Sequence, residues 1–199
     1  VTMRELVLKM SMSLDGFIAG ERAESDWMFR ASTPDSAAWL IETLSGAGTH
    51  ISGRRLFETW AGLWPVSPSP VAAPMNAHPK VLFTRQATYR PAEHVAENAS
   101  SAVASEWGGS RVANGDLVAE IERLKQEPGD YILAQGGVEF GRSLVRAGLI
   151  DEYRLAVLPV ALGQGEGLFS GLTDELDLTL TGSTTFAGGV MVNVYRPAS

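Results

Sequence analysis

Between residues 6 and 14 apolar and polar positions alternate. Leu6, Leu8, Met10, Met12 and Leu14 fall on one face, and Val7, Lys9, Ser11 and Ser13 on the other. A period of two marks a β-strand, and Asp15-Gly16 supplies a polar turn where it stops. The alternation returns at Leu176, Leu178 and Leu180 and again at Val190, Val192 and Val194, which predicts a hairpin-like C-terminal pair connected near residues 186–189. Residues 49–52, 80–84 and 131–134 are shorter apolar runs of buried-strand type. Residues 153–162 are apolar on both alternating sets, which suits either a central strand covered on both faces or a strand at a subunit interface.

Helix signals fall between these strands. Thr33-Pro34-Asp35 combines a hydroxyl cap, a first-position proline and a first-turn acid, and Ala37, Leu40, Ile41 and Leu44 form the inner stripe behind it. Asn114-Gly115-Asp116 caps a helix running to Gln126, with Leu117, Ile121 and Leu124 inside. Val138 to Arg146 reads as another helix. Residues 64–79 hold five of the ten prolines and read as extended loop. Residues 91–109 give no clear element, although Trp107 should be at least partly buried. Parallel β-α-β units with an antiparallel C-terminal edge predict an α/β fold, a mixed and mostly parallel sheet flanked by helices.

Three joints between these elements suit an anion. Gln135-Gly136-Gly137-Val138 passes from strand to helix through two glycines, so the main chain lies bare where a helix dipole is positive. A tight turn needing positive φ would use the same glycines. Gly53-Arg54-Arg55 opens a second helix with two guanidinium groups, which suits a phosphate or an ordinary solvated helix start. Thr84-Arg85 closes a strand, where Arg85 is either a ligand or an exposed strand-end charge. Residues 136–141 run Gly-Gly-Val-Glu-Phe-Gly, which does not fit the dinucleotide fingerprint G-x-G-x-x-G and disfavours a standard Rossmann domain.

Composition narrows the classes further. The 199 residues are read as one domain spanning residues 1–199. A net charge of −7 disfavours nucleic acid as a partner. The absence of cysteine excludes disulfides, thiolate chemistry and the Cys-containing zinc site of a nucleobase deaminase. His50, His78 and His94 have no ligand spacing and read as surface or loop residues, so no metal is expected. No apolar run approaches membrane-spanning length and no signal-peptide pattern opens the chain, so the expectation is a cytoplasmic protein without a membrane partner. The first residue is Val1, which implies an unusual start codon or a native start elsewhere, such as Met3.

A family resemblance joins these pieces. The glycine pair, Ala147-Gly148-Leu149-Ile150-Asp151-Glu152-Tyr153-Arg154-Leu155, the run from Leu158 to Phe169 and Ser13-Leu14-Asp15-Gly16-Phe17-Ile18-Ala19 resemble the reductase (RibD C-terminal) domain of riboflavin biosynthesis and its dihydrofolate-reductase-like relatives. The resemblance implies a three-layer αβα sandwich of dihydrofolate-reductase type. It also implies an NADPH-dependent reductase acting on a small pterin-, pyrimidine- or flavin-pathway-like heterocycle. NADPH contacts would come from Ala19, Gly53, Arg54, Arg55, Thr84, Arg85, Gln135, Gly136, Gly137 and Val138, with Thr84 and Arg85 at the 2′-phosphate. Residues 19–30 resemble the mobile loop that covers nicotinamide. Asp15 matches the acidic residue of the family's Asp-Gly motif at the active site and is expected to carry the acid-base role or to fix the substrate. Asp26, beside Trp27, is the competing carboxylate, and Trp27 reads equally as a buried loop anchor. The family's reductases commonly pair through the region of residues 153–162, so a homodimer is expected.

One departure bears on the substrate. Riboflavin-pathway reductases commonly place glutamate before the glycine pair, where this chain has Gln135. An amide cannot serve as a carboxylate base, which leaves the pathway's ribosylaminopyrimidine in doubt. The alternative class is a nucleotide- or pterin-binding module that keeps the fold without turnover.

Overall fold

The computed structural model describes residues 3–22 and 26–198. In chain order the elements are β1 (Leu6–Ser13), β2 (Phe17–Ala19), α1 (Pro34–Ser45), β3 (Thr49–Gly53), α2 (Arg54–Leu63), α3 (Ala72–Ala77), β4 (Lys80–Phe83), α4 (Ser101–Gly108), β5 (Arg111–Ala113), α5 (Leu117–Gln126), β6 (Ile132–Ala134), α6 (Val138–Arg146), β7 (Glu152–Leu158), β8 (Glu166–Gly167), β9 (Leu178–Thr185) and β10 (Met191–Pro197). Eight strands form one mixed, mostly parallel sheet in the order β5-β4-β3-β6-β1-β7-β10-β9. The described residues divide into two compact units, residues 3–4 with 40–137 and residues 5–22 and 26–39 with 138–198.

The first unit contains β5, β4, β3 and β6, all parallel where their pairing is described. Asp116 caps α5 by accepting from the Ala119 N–H at 3.0 Å, as Asn114-Gly115-Asp116 predicts. Phe57, Ile51, Leu82, Trp107, Ile121, Leu124 and Ile132 are almost wholly buried, and burying each such side chain contributes roughly 1.5–3 kcal/mol. Residues 64–79 depart from the loop reading, because they contain α3 and a 3₁₀ turn at Trp64–Val66. Pro65 and Pro74 fall in first turns, where the missing N–H has no helical partner to lose.

The second unit is built on β7, which pairs parallel with β1 and antiparallel with β10. The predicted C-terminal hairpin is β9 and β10, closed by Phe186 and Gly189. Trp27 packs with Ala156, Leu158, Val190 and Val192 in this unit's core, so it serves as a loop anchor. β2 and β8 form a separate two-stranded ribbon. A side chain on Gly165 would collide with the Ala19 carbonyl oxygen, which accounts for one glycine of the 163–167 loop.

Two expectations drawn from periodicity change. β1 is buried on both faces, with Val7 and Ser13 as covered as Leu6, whereas Leu14 lies beyond the strand and is 70% exposed. β7 is a central strand of its unit and every residue of it is buried or half-buried within one chain, so its doubly apolar pattern needs no second copy to explain it. The homodimer thereby loses that argument.

Candidate functional site

In the first unit, parallel pairing aligns Gly53 with Phe83 and Ile51 with Ala134. The carboxyl ends of β4, β3 and β6 therefore lie along one edge of the sheet. Thr84-Arg85 follows β4, Gly53 to Arg55 follows β3 and Gln135 to Gly137 follows β6. Open α/β sheets bind ligands at this edge, and three joints distant in sequence meet there.

Each joint has its own chemistry. Gly53 precedes α2 with extended backbone, no side chain caps the helix and its first turn has no acid, so the positive helix end is left for an anion. Arg54 donates to Glu58 at 2.9 Å, and the same carboxylate oxygen accepts from the Tyr89 hydroxyl at 3.2 Å. Arg55 and Arg85 are exposed and make no ion pair among the described residues. Thr84 extends the sheet, its N–H donating to Ala113 at 3.0 Å, and its hydroxyl accepts from the Gln86 N–H. Gly136 and Gly137 adopt φ of 144° and 80°, a region side chains avoid, so the turn reading of the pair is correct whatever else the pair does.

Gln135 brings in a residue that the sequence hid. His50 is not at the surface but wholly buried in β3, stacked on His78 with ring centroids 5.5 Å apart. Burial pushes the His50 imidazole down to about 4, so the ring is neutral. Its Nδ1 lies 3.2 Å from the Gln135 amide nitrogen, and its Nε2 lies 3.1 Å from the Leu44 carbonyl. A lone histidine in a short strand gives no periodic signal of this.

In the second unit Asp15 lies in the turn between β1 and β2. Its carboxylate accepts from the Ser13 hydroxyl at 2.6 Å, the Leu162 N–H at 3.1 Å and the Gly163 N–H at 2.7 Å. Led by the Ser13 hydrogen bond, these hold it down at about 2. Asp15 is therefore an anion at neutral pH, clamping the 162–163 loop, and is not poised to release a proton. Leu162 also borders a cavity of about 230 Å³ with Gly20, Glu21, Arg22 and Gln164. Asp26 is exposed at the start of a 3₁₀ turn. Ala19 is buried at the end of β2, so only its backbone could touch a ligand, and Val138 is the first residue of α6. Within the loop expected over residues 19–30, residues 23–25 lie outside the described residues.

Lys9 on β1 was assigned to a polar face. Because both faces of β1 are covered, burial pushes its ammonium down to about 8, and it donates to the Ser11 hydroxyl at 3.0 Å. No helix among the described residues is long and apolar enough to cross a membrane.

Comparison with known proteins agrees with this layout. The profile of the RibD C-terminal domain matches residues 4–192. The chain belongs to that family. It is 31% identical over 195 residues to the uncharacterized protein YwjB of Bacillus subtilis (strain 168), covering 97% of this chain and 98% of YwjB. Among solved structures, it is similar to a Shewanella sp. PV-4 protein named for riboflavin biosynthesis, with a TM-score of 0.72, 21% identity and coverage of 98% and 99%. It is also similar to dihydrofolate reductase from Enterococcus faecalis complexed with NADP(H), with a TM-score of 0.61, 14% identity and coverage of 98% and 97%. This RibD C-terminal domain thus has the dihydrofolate-reductase-like α/β fold.

Proposed function

We propose that this RibD C-terminal domain is an NADPH-dependent reductase of a small pterin-, pyrimidine- or flavin-like heterocycle. The observation that carries the reading is the meeting of three anion-suited joints at the carboxyl ends of β4, β3 and β6. An uncapped helix start, two guanidinium groups without an ion pair among the described residues and a glycine pair with no side chains fit a polyanionic nucleotide. The family and the NADP(H)-complexed structural relative support the choice of cofactor.

The bound cofactor would supply the hydride. Arg55 and Arg85 would hold its phosphates and favour NADPH over NADH, while Gly136 and Gly137 would let the main chain approach. Asp15 would fix the 162–163 loop beside the heterocycle rather than donate a proton. The test is titration of the protein with NADPH and NADH by fluorescence. NADPH should bind about tenfold or more tightly, and equal affinities would end this reading.

A second reading, a nucleotide- or pterin-binding module without turnover, draws on one observation. The carboxylate expected to act as the acid is ionised and engaged by backbone donors. Transfer of hydride to any of a panel of pterins, flavins and quinones distinguishes the two. We also propose that the chain is a homodimer, on the family resemblance.

A further inference from the structure

We propose that Gln135 reads a hydrogen-bond donor on the bound ligand, and that His50 acts as the positioning residue that turns the acceptor end of the Gln135 amide outward. The proposal rests on the ligand site described above and goes further, by naming which chemical group that site selects.

The argument starts at Leu44. Its carbonyl oxygen can only accept, so the His50 nitrogen 3.1 Å away, Nε2, carries the ring proton. His50 is fully buried, and burial favours the neutral ring, as does the charge of Lys80 nearby. In a neutral ring protonated on Nε2, Nδ1 is an acceptor. The atom facing Nδ1 at 3.2 Å must therefore be the Gln135 amide nitrogen and not its oxygen. The same nitrogen lies 3.2 Å from Met75 Sδ, a weaker acceptor for its second hydrogen.

Both donors of the amide are thus engaged. Its oxygen makes no hydrogen bond among the described residues, and it is not among their buried atoms without a partner, so it is open to solvent. Gln135 stands at the carboxyl end of β6, next to Gly136-Gly137. A glutamine free to rotate would present either end and select nothing. Held by His50, it presents only an acceptor, which suits an N–H group. That group is either the carboxamide of a nicotinamide or an N–H or amino group of the heterocycle. His78 stacks on His50 at an interplanar angle of 11° and the Lys80 ammonium donates to the His78 carbonyl at 2.6 Å, which fixes the ring that fixes the amide.

Three measurements test this. In the wild-type chain, ring ¹⁵N shifts should show His50 protonated on Nε2 and unprotonated on Nδ1, and the reverse tautomer overturns the proposal. This measurement needs no ligand, so it stands even if the chain binds no NADPH and the functional reading fails. The second compares affinities for NADPH and for its 3-acetylpyridine analogue, which lacks the carboxamide N–H, and, in a separate arm, for a pterin and its 2-deamino counterpart. The wild type should favour the N–H-bearing ligand about tenfold in the arm that holds the contact, since a site built to bond an N–H is left with an unpaired group by the analogue. No discrimination in either arm overturns the proposal. Third, His50→Leu should abolish the discrimination. Gln135→Glu in that background should restore it, because a carboxylate accepts at both oxygens and needs no orienting partner. Discrimination that survives in folded His50→Leu, or that glutamate fails to restore, contradicts the assignment.

Discussion

Glu58 restrains the arginine cluster that should hold the cofactor phosphates, and relieving it should strengthen NADPH binding. Arg54 is 2.9 Å from Glu58 Oε1, so much of its charge is offset within α2 itself, whereas Arg55 and Arg85 have no such partner among the described residues. A charge-assisted hydrogen bond contributes about 1.5–3 kcal/mol, and exposed groups in salt fall at or below the lower end. Arg55→Ala or Arg85→Ala should therefore weaken NADPH binding by about tenfold and leave NADH nearly unchanged. Arg54→Ala should cost less, about threefold, because Glu58 already engages its guanidinium and leaves less of its charge for a phosphate. Glu58→Gln keeps an acceptor for the Tyr89 hydroxyl and releases Arg54, so NADPH should bind a few times more tightly. The assay is fluorescence titration of both nucleotides at low and moderate salt, with the NADPH differences shrinking as salt rises. The reasoning is refuted if Arg54→Ala costs as much as the other two, or if the losses for NADH match those for NADPH.

The remaining predictions concern the glycine pair, the proton source, acid stability and assembly. Gly137→Val, at φ 80°, should abolish NADPH binding while near-native circular dichroism persists, and unchanged affinity would leave the pair as a turn only. Asp15→Asn should lower single-turnover hydride transfer without moving its pH profile, and a profile that loses a limb would return the acid role to Asp15. Burial lowers the folded-state value of His50 to about 4 from 6.5, so the unfolded chain binds more protons between these values and stability should fall as pH drops through that window, by on the order of 3 kcal/mol. In His50→Leu this part of the slope should vanish from urea midpoints. Light scattering at micromolar concentration should give the mass of a dimer, and a monomer mass would refute the pairing.

Elements whose signals are local could be read from the sequence. Asp116 announces α5, the Gly136-Gly137 pair marks the start of α6, and alternation marks β1 and β10. Long-range pairing was harder to read. Alternation on β1 could not show that a second layer covers Val7, Lys9 and Ser13, and it placed Leu14 in a core that the strand never reaches. The clamp from Asp15 to Leu162 and Gly163 spans almost 150 residues and leaves no trace in local composition, so the sequence could not show which donors the Asp15 carboxylate engages. His50 went unread because its meaning depends on Gln135, 85 residues away, which the pairing of β3 with β6 brings to it. α3 was hidden by Pro74, which its first turn tolerates because the N–H there has no helical partner.

The central claim is that this chain passes a hydride from NADPH to a heterocycle. The most direct measurement is single-turnover loss of the reduced-nicotinamide absorbance when pre-bound NADPH is mixed with each of a panel of pterins, pyrimidines, flavins and quinones. At least one heterocycle should oxidise the bound NADPH, and Gly137→Val should not support the reaction. Tight NADPH binding with no transfer to any acceptor would contradict the claim and leave a binding module in its place.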